Sequence, residues 1–469
     1  MARYLYLPLE ITIREHDGKV MLALQAAREG WSVVMGTRVA LYNAADQLPE
    51  GVFLLKSATP QELPQVKHLK NCGHKVCIFD EEGIVTYREF IQNEVRYSRE
   101  IVAEVEQLYF WGDNQKKLFD EKFSALPAQT FTTGSPRLEF WQHHAQSVYR
   151  QKAEEIRNRY KDYILFPTSF GIGNNFLGKN QGLKLTRDHG AVEEKDIVDF
   201  MEGQSDQNYI CFKEYLDFLP EIAERFPEFN FVIRPHPSEN SSAWESISRN
   251  HTNVHVVYED AVTPWIIGAL GVIHFKSTTS IEAALLGKPV LTYMPLLPEY
   301  MKKFRLELPL SVSNVAASRS EFLSLLEEIQ LGNASPGSIK DNKEFNKWVS
   351  ISPEKSSAER IISLLNRLVV STSRKLGPVE KRIHIQARDW AERFLCYLNQ
   401  FDRLAHFFPR KLKRNPARIS YGKHKIRGLQ LENTQRTVDC ICSNYGEPAS
   451  DYHLSQIAEE IFTLERTKN

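Results

Sequence analysis

Four short clusters of polar residues, each directly behind an apolar run, carry the residue types that chemistry needs. The first is Phe79-Asp80-Glu81-Glu82-Gly83. Three adjacent carboxylates raise one another's pKa, so that one of them could serve as a general base; a solvated acidic turn is the plain alternative. The second is Arg234-Pro235-His236-Pro237, in which two prolines stiffen a loop while Arg234 and His236 offer donors suited to a phosphate or carboxylate. The third is Ser277-Thr278-Thr279, between the apolar runs Val272–Phe275 and Ile281–Leu286. Hydroxyls at a helix start cap its N–H groups, and the same end of a helix attracts phosphate. The fourth is Thr168-Ser169-Phe170-Gly171-Ile172-Gly173-Asn174-Asn175, where glycines permit close backbone approach and Ser169 and Asn174 could line a cleft. An ordinary flexible loop reads the same way.

The elements that must position these clusters alternate. Tyr4–Leu7, Ser32–Met35, Val52–Leu55, Val76–Phe79, Leu108–Trp111 and Phe131–Thr133 read as strands, with helices between them, the first over Lys19–Arg28. A charged helix over Leu138–Tyr160 follows. A second series then runs through Tyr163–Phe166, Phe229–Arg234, Val254–Tyr258, Val272–Phe275 and Val290–Tyr293, with helices at Tyr215–Arg225, Phe322–Ile329 and Ser352–Val370. Such alternation implies parallel sheets covered by helices, with functional groups at the carboxyl ends of the strands. The expectation is an α/β chain of two Rossmann-like domains, 1–140 and 160–370, facing a cleft, followed by a basic, aromatic, helical extension over 371–469.

At 469 residues the chain exceeds one ordinary core, and 42% hydrophobic with 25% charged residues suits a globular protein. No run approaches the roughly 18–20 apolar residues of a membrane span, and the first residues lack signal-peptide form, so a cytoplasmic location is expected. The six cysteines are scattered, and Cys440-Ile-Cys442 has the wrong spacing for a zinc or redox pair, so no metal site is expected. Lys plus Arg (59) equals Asp plus Glu (59), but Arg410–Arg427 is a basic block without an acidic residue. Within 374–427 this tail is either an exposed helical face or a contact to anionic lipid headgroups. It has no recognised nucleic-acid module, so no nucleic acid is expected as a partner.

The order acidic-acidic-Gly, His-Pro, Ser-Thr resembles the three signatures of bacterial transferases that use CMP-activated nonulosonic sugars, among them sialyltransferases and capsule Kdo transferases of glycosyltransferase B-type fold. A wider resemblance, to surface-carbohydrate biosynthesis proteins, runs through Arg14-Glu15-x-Asp17, Thr133-Gly134-Ser135-Pro136-Arg137 and Ser277-Thr278-Thr279-x-Ile281-Glu282. It covers roughly residues 1–370. The resemblance implies a metal-independent glycosyltransferase without cofactor, with a CMP-sugar as co-substrate and a surface glycan or glycolipid as acceptor, working at or near the inner face of the membrane. It implies that Glu82 or Glu81 is the catalytic carboxylate, that His236 assists departure of the phosphate, and that Arg234, His236, Ser277, Thr278, Thr279, Ser169, Asn174 and Glu282 bind the donor. Arg14 could meet the donor's own carboxylate. Competing readings are a CDP-polyol phosphotransferase, a UDP-sugar transferase or epimerase of the same fold, and a non-catalytic scaffold that binds nucleotide-sugar or lipid.

Overall fold

A computed structural model describes residues 2–467 except 86, 177, 179–194, 340, 371, 378 and 380–428. The basic block Arg410–Arg427 and the aromatic residues before it lie outside the described residues. Two sheets organise the described chain.

The first sheet contains β1 (Tyr4–Leu9), β2 (Ser32–Thr37), β3 (Val52–Leu55), β4 (Lys75–Phe79), β5 (Gln107–Phe110) and β6 (Gln129–Thr132). Their order in space is β2-β1-β3-β4-β5-β6, and all neighbours are parallel. The second sheet contains β7 (Tyr163–Pro167), β8 (Asn230–Arg234), β9 (Val254–Val256), β10 (Gly271–Ile273), β11 (Val290–Tyr293) and β12 (Asn314–Ala316), ordered β12-β11-β10-β7-β8-β9 and again all parallel. Every residue of β1, β3, β7 and β11 is buried, as sheets covered on both faces require. Strand order reverses between β1 and β3 in one half and between β7 and β10 in the other. Ligand crevices of doubly wound folds open at those reversals.

The extension is where the chain departs from the expected plan. It is helical over Leu431–Asn444, but it then forms a hairpin of β13 (Tyr452–Ala458) and β14 (Ile461–Arg466), and β14 pairs antiparallel with β2. A β2 edge that would otherwise expose its N–H and C=O groups is thereby covered. The helix Leu431–Asn444 packs on the helices Thr12–Arg28 and Ala145–Tyr160, and the helix Ser357–Leu365 also packs on Thr12–Arg28. Residues 357–365 and 429–467 therefore belong to the first half in space, although they follow the second half in sequence.

Two local differences matter for the site. The first helix begins at Thr12 rather than near Lys19, because the Glu15 carboxylate accepts from the N–H groups of Glu10 (2.9 Å) and Ile11 (3.2 Å). Arg14, Glu15 and Asp17 thus sit on helical turns at the end of β1. The long helix expected over Leu138–Tyr160 is two, Pro136–His143 and Ala145–Tyr160, broken at His144. The His144 ring is held by Asn444 Nδ2 at 3.0 Å and by the Tyr445 hydroxyl at 3.4 Å, and burial lowers its pKa to about 4. The break is fixed by the returning C-terminal segment.

Phe462 on β14 is 1% exposed and lies opposite Met35 of β2. Phe462→Ala is expected to cost about 3–5 kcal/mol, read as a lower urea midpoint at unchanged slope; a loss below about 1 kcal/mol would mean that the hairpin is not part of the core.

Candidate functional site

Between the two halves lies a cavity of about 710 Å³, a size typical of ligand sites. The second sheet delivers Ser169 behind β7, Arg234 and His236 at the end of β8, and Ser277, Thr278 and Thr279 behind β10. The first half delivers Arg14 and Asp17 from the helix Thr12–Arg28 and Arg137 from Pro136–His143. Glu282, on the helix Thr279–Leu285, closes one wall.

The loops are tied to one another by a residue that the sequence did not single out. Glu239 is 6% exposed and accepts from Thr168 Oγ1 (2.6 Å), Phe170 N–H (2.7 Å), His236 N–H (3.2 Å) and Trp244 Nε1 (3.2 Å). Its carboxylate locks the loop behind β7 to the His236 loop. Across the strand-order reversal, the Ser169 hydroxyl donates to the Phe275 carbonyl. His236 Nδ1 lies 2.7 Å from the Ser238 hydroxyl. The Arg234 guanidinium donates to the carbonyls of Glu259 (2.5 Å) and Asp260 (2.8 Å) and stacks on Trp265. The N-cap of the next helix is Thr278, whose side chain makes no capping bond; the Ser277 hydroxyl oxygen, one residue earlier, accepts from the Thr279 N–H at 3.2 Å.

Of the residues expected at the donor site, Arg14, Ser169, Arg234, His236, Ser277, Thr278, Thr279 and Glu282 share this one cavity. Asn174 does not line it; its amide donates to the Asn240 carbonyl at 2.9 Å. The acidic cluster is also placed elsewhere. Asp80 is buried under Arg96, Tyr97 (2.6 Å) and Gln115 (3.0 Å). Glu81 is buried against Lys19 Nζ, an ion contact at 3.1 Å rather than a directed hydrogen bond. Glu82 accepts from Arg14 (3.0 Å) and from Arg96 (3.2 Å). Glu81 and Glu82 open into a second, smaller cavity of about 490 Å³ in the first half, with Arg14 standing between them and the interdomain space.

Two groups that face the interdomain cavity carry unusual electrostatics. Arg137 is 8% exposed, yet its side chain makes no ion pair or hydrogen bond to any described residue, and its Nε is buried without a partner. Burial lowers its pKa to about 10, which leaves it charged at neutral pH. The face of Trp141 lies 4.6 Å from the guanidinium carbon, and the carboxylates of Glu282, Glu81 and Glu15 favour its charge only from beyond ion-pair distance. Gly18 explains how the residue reaches this place: a Cβ there would stand 3.1 Å from the Arg137 backbone nitrogen, so the two helices meet backbone to backbone. Glu282 is 3% exposed, and burial raises its pKa to about 7, opposed by a hydrogen bond from Thr263 and by the charge of Arg137. Asp17, which raises it further, accepts from the Tyr149 hydroxyl at 2.6 Å. The sequence contained both residues, Arg137 within the motif at the domain join and Glu282 within the Ser277 motif, but not the burial that makes them unusual.

An unpaired buried cation is costly and calls for an anion. A carboxyl that titrates near neutrality can give or take a proton. Together they suit the binding of a phosphate or carboxylate and the breaking of a bond to it. Among the described residues no group of three or more His, Cys, Asp or Glu is placed to hold a metal ion, and no helix is long and apolar enough to cross a membrane.

No family model matches the chain, and no curated protein matches it. Solved structures to which the chain is similar include the UDP-GlcNAc 2-epimerase of Neisseria meningitidis bound to UDP-GlcNAc, at 12% identity and TM-score 0.45 over 78% of this chain and 99% of that one. Another is the Methanocaldococcus jannaschii UDP-GlcNAc 2-epimerase in complex with UDP-GlcNAc and UDP, at 11% identity and TM-score 0.48 over 78% and 99%. A third is the UDP-N-acetylglucosamine 2-epimerase of Rickettsia bellii, at 12% identity and TM-score 0.45 over 79% and 99%.

Because the folded-state pKa of Glu282 lies above its ordinary value of 4.5, the native state holds this proton longer than the unfolded chain does. Stability from this group is full below about pH 4.5 and is lost as pH rises through about 7, on the order of 3 kcal/mol in all. Urea unfolding of wild type and Glu282→Gln between pH 4.5 and 8 is expected to show a smaller fall in the variant; identical slopes would remove Glu282 as a neutral-pH titrating group.

Proposed function

We propose that the protein is an enzyme acting on a nucleotide-activated sugar held in the interdomain cavity. The observation that carries this reading is the buried Arg137 guanidinium, without an ion-pair or hydrogen-bond partner among the described residues and facing a space of nucleotide-sugar size. A phosphate of the donor supplies the missing charge. Ser277, Thr278 and His236, on the opposite wall, offer further donors to the same group or to its neighbour.

The chemistry follows from charge. When the anomeric carbon–oxygen bond to phosphate breaks, its electron pair stays on the phosphate oxygen and positive charge develops on the sugar ring. Fixed donors at the oxygen stabilise that change, most effectively where water is excluded. Glu282 supplies a proton carrier whose charge is poised near neutrality. In the transferase form of the reaction, an acceptor hydroxyl makes the new bond to the anomeric carbon and its proton passes to a carboxylate. This form includes the transfer of a Kdo-like or sialic-acid-like sugar from CMP to a surface glycan. The existence of a second polar cavity beside the first favours it, since transfer needs room for two substrates.

A UDP-sugar epimerase is the second reading. It needs a single substrate pocket with two proton-handling groups, and the placing of Asp17 and Glu282 in one cavity favours it. The two forms share the phosphate contact and differ in the base and in the requirement for an acceptor.

Arg137→Met retains much of the apolar stem while deleting the unpaired charge. The variant is expected to melt at the wild-type temperature or above it, and to lose the thermal shift produced by CMP, UDP or CDP in the wild type. A nucleotide shift that survives the substitution, or a wild type that none of the three nucleotides stabilises, would overturn the reading. The rank order of CMP and UDP in the same panel separates the transferase form from the epimerase form.

A further inference from the structure

The smaller cavity, about 490 Å³, opens at the strand-order reversal between β1 and β3, on the carboxyl ends of β1, β3 and β4. Its wall is strongly polar, yet its charges are settled among themselves. Glu10 pairs with Lys56, Glu62 with Arg38 at 2.5 Å, and Glu82 with Arg96 at 3.2 Å. Glu81, the fourth carboxylate, is matched from behind by Lys19. None of these cations stands alone in the manner of Arg137.

The neutral polar groups of the same wall are the ones left uncommitted. The side chains of Ser57, Thr59, Asn43, Gln61 and Gln65 all face the cavity, and none of them makes a hydrogen bond to a described residue. A ligand with net charge would enter a space where every charge already has its partner, and would shed its hydration for little return. A ligand rich in hydroxyl groups meets two amide-bearing types, two hydroxyls and the spare lone pairs of paired carboxylates, each able to replace one hydrogen bond to water. The Tyr42 ring, on the same wall, adds an apolar face.

From this contrast we propose that the smaller cavity is a second binding site, specific for a neutral, hydroxyl-rich sugar. The two cavities meet at one ion pair, since Arg14 lines the interdomain space, Glu82 lines the smaller one, and the two side chains are 3.0 Å apart. A sugar in the smaller cavity would present a hydroxyl to that pair. Its role as the acceptor of the reaction rests on the transferase form proposed above; its binding does not.

Asn43 is exposed at the rim, on the helix Arg38–Ala44, so a larger side chain there can block the entrance without entering the core. Saturation-transfer NMR on the full chain, with lactose, cellobiose and N,N′-diacetylchitobiose as neutral probes and glucuronate and glucose 6-phosphate as charged ones, tests the proposal. The expected result is saturation transfer to at least one neutral disaccharide, reduced at least fivefold in Asn43→Trp, with melting temperature and nucleotide shift unchanged. The variant Gln61→Trp, at a second exposed position of the lining, is expected to act in the same way. The proposal is overturned if no neutral probe binds, if the charged probes bind in preference, or if both tryptophan variants keep the neutral signal. A neutral sugar that binds as expected to a protein without any nucleotide shift would contradict the nucleotide-sugar reading alone and leave this site standing.

Discussion

A guanidinium removed from water without a contacting ion-pair partner is the constraint to which the rest of this molecule answers. Arg137 is delivered to the interdomain cavity by three arrangements that each exclude an alternative. Pro136 starts its helix, Gly18 lets the helix Thr12–Arg28 approach to backbone contact, and Trp141 covers one face of the cation. A fold selected for stability alone would place an apolar side chain there, because an unpaired buried charge opposes folding. The proposed phosphate ligand would supply the balancing charge from outside.

The returning C-terminal segment belongs to the same construction. The helices Thr12–Arg28 and Pro136–His143 form the first-half wall of the cavity, and Leu431–Asn444 packs against the first of them and against Ala145–Tyr160 behind it. His16 Nε2 lies 3.0 Å from Thr434 Oγ1, while its Nδ1 lies 2.9 Å from Asp17. The position of Asp17 at the cavity is thus set partly by a residue more than 400 positions away in sequence. On the opposite wall Glu239 does similar work through four hydrogen bonds.

Much of the fold was legible in the sequence. Continuous apolar runs alternating with helical patterns marked the strands of two parallel sheets, and the polar residues directly behind Tyr163–Phe166, Phe229–Arg234 and Val272–Phe275 do converge. The carboxylates of Asp80-Glu81-Glu82 were legible as a cluster but not in their direction. Glu82 is held between Arg14 and Arg96, and Glu81 on Lys19, at the wall of the smaller cavity, and such pairings depend on contacts between distant segments. The hairpin Tyr452–Arg466 was hidden because a two-stranded unit at a sheet edge is defined by the strand it covers, β2, rather than by a long pattern of its own. Arg137 was visible as one letter of a motif, while its isolation is a property of packing.

The two cavities differ in one physical respect, a cation without an ion-pair partner in the larger and paired charges in the smaller, and the two ligands proposed for them rest on this difference. The most direct test of the central claim is a crystal structure of the protein soaked with CMP or UDP. The account predicts nucleotide in the interdomain cavity, with a phosphate oxygen at hydrogen-bond distance from the Arg137 guanidinium. A bound nucleotide whose phosphate lies elsewhere, with Arg137 still unpaired, would contradict it.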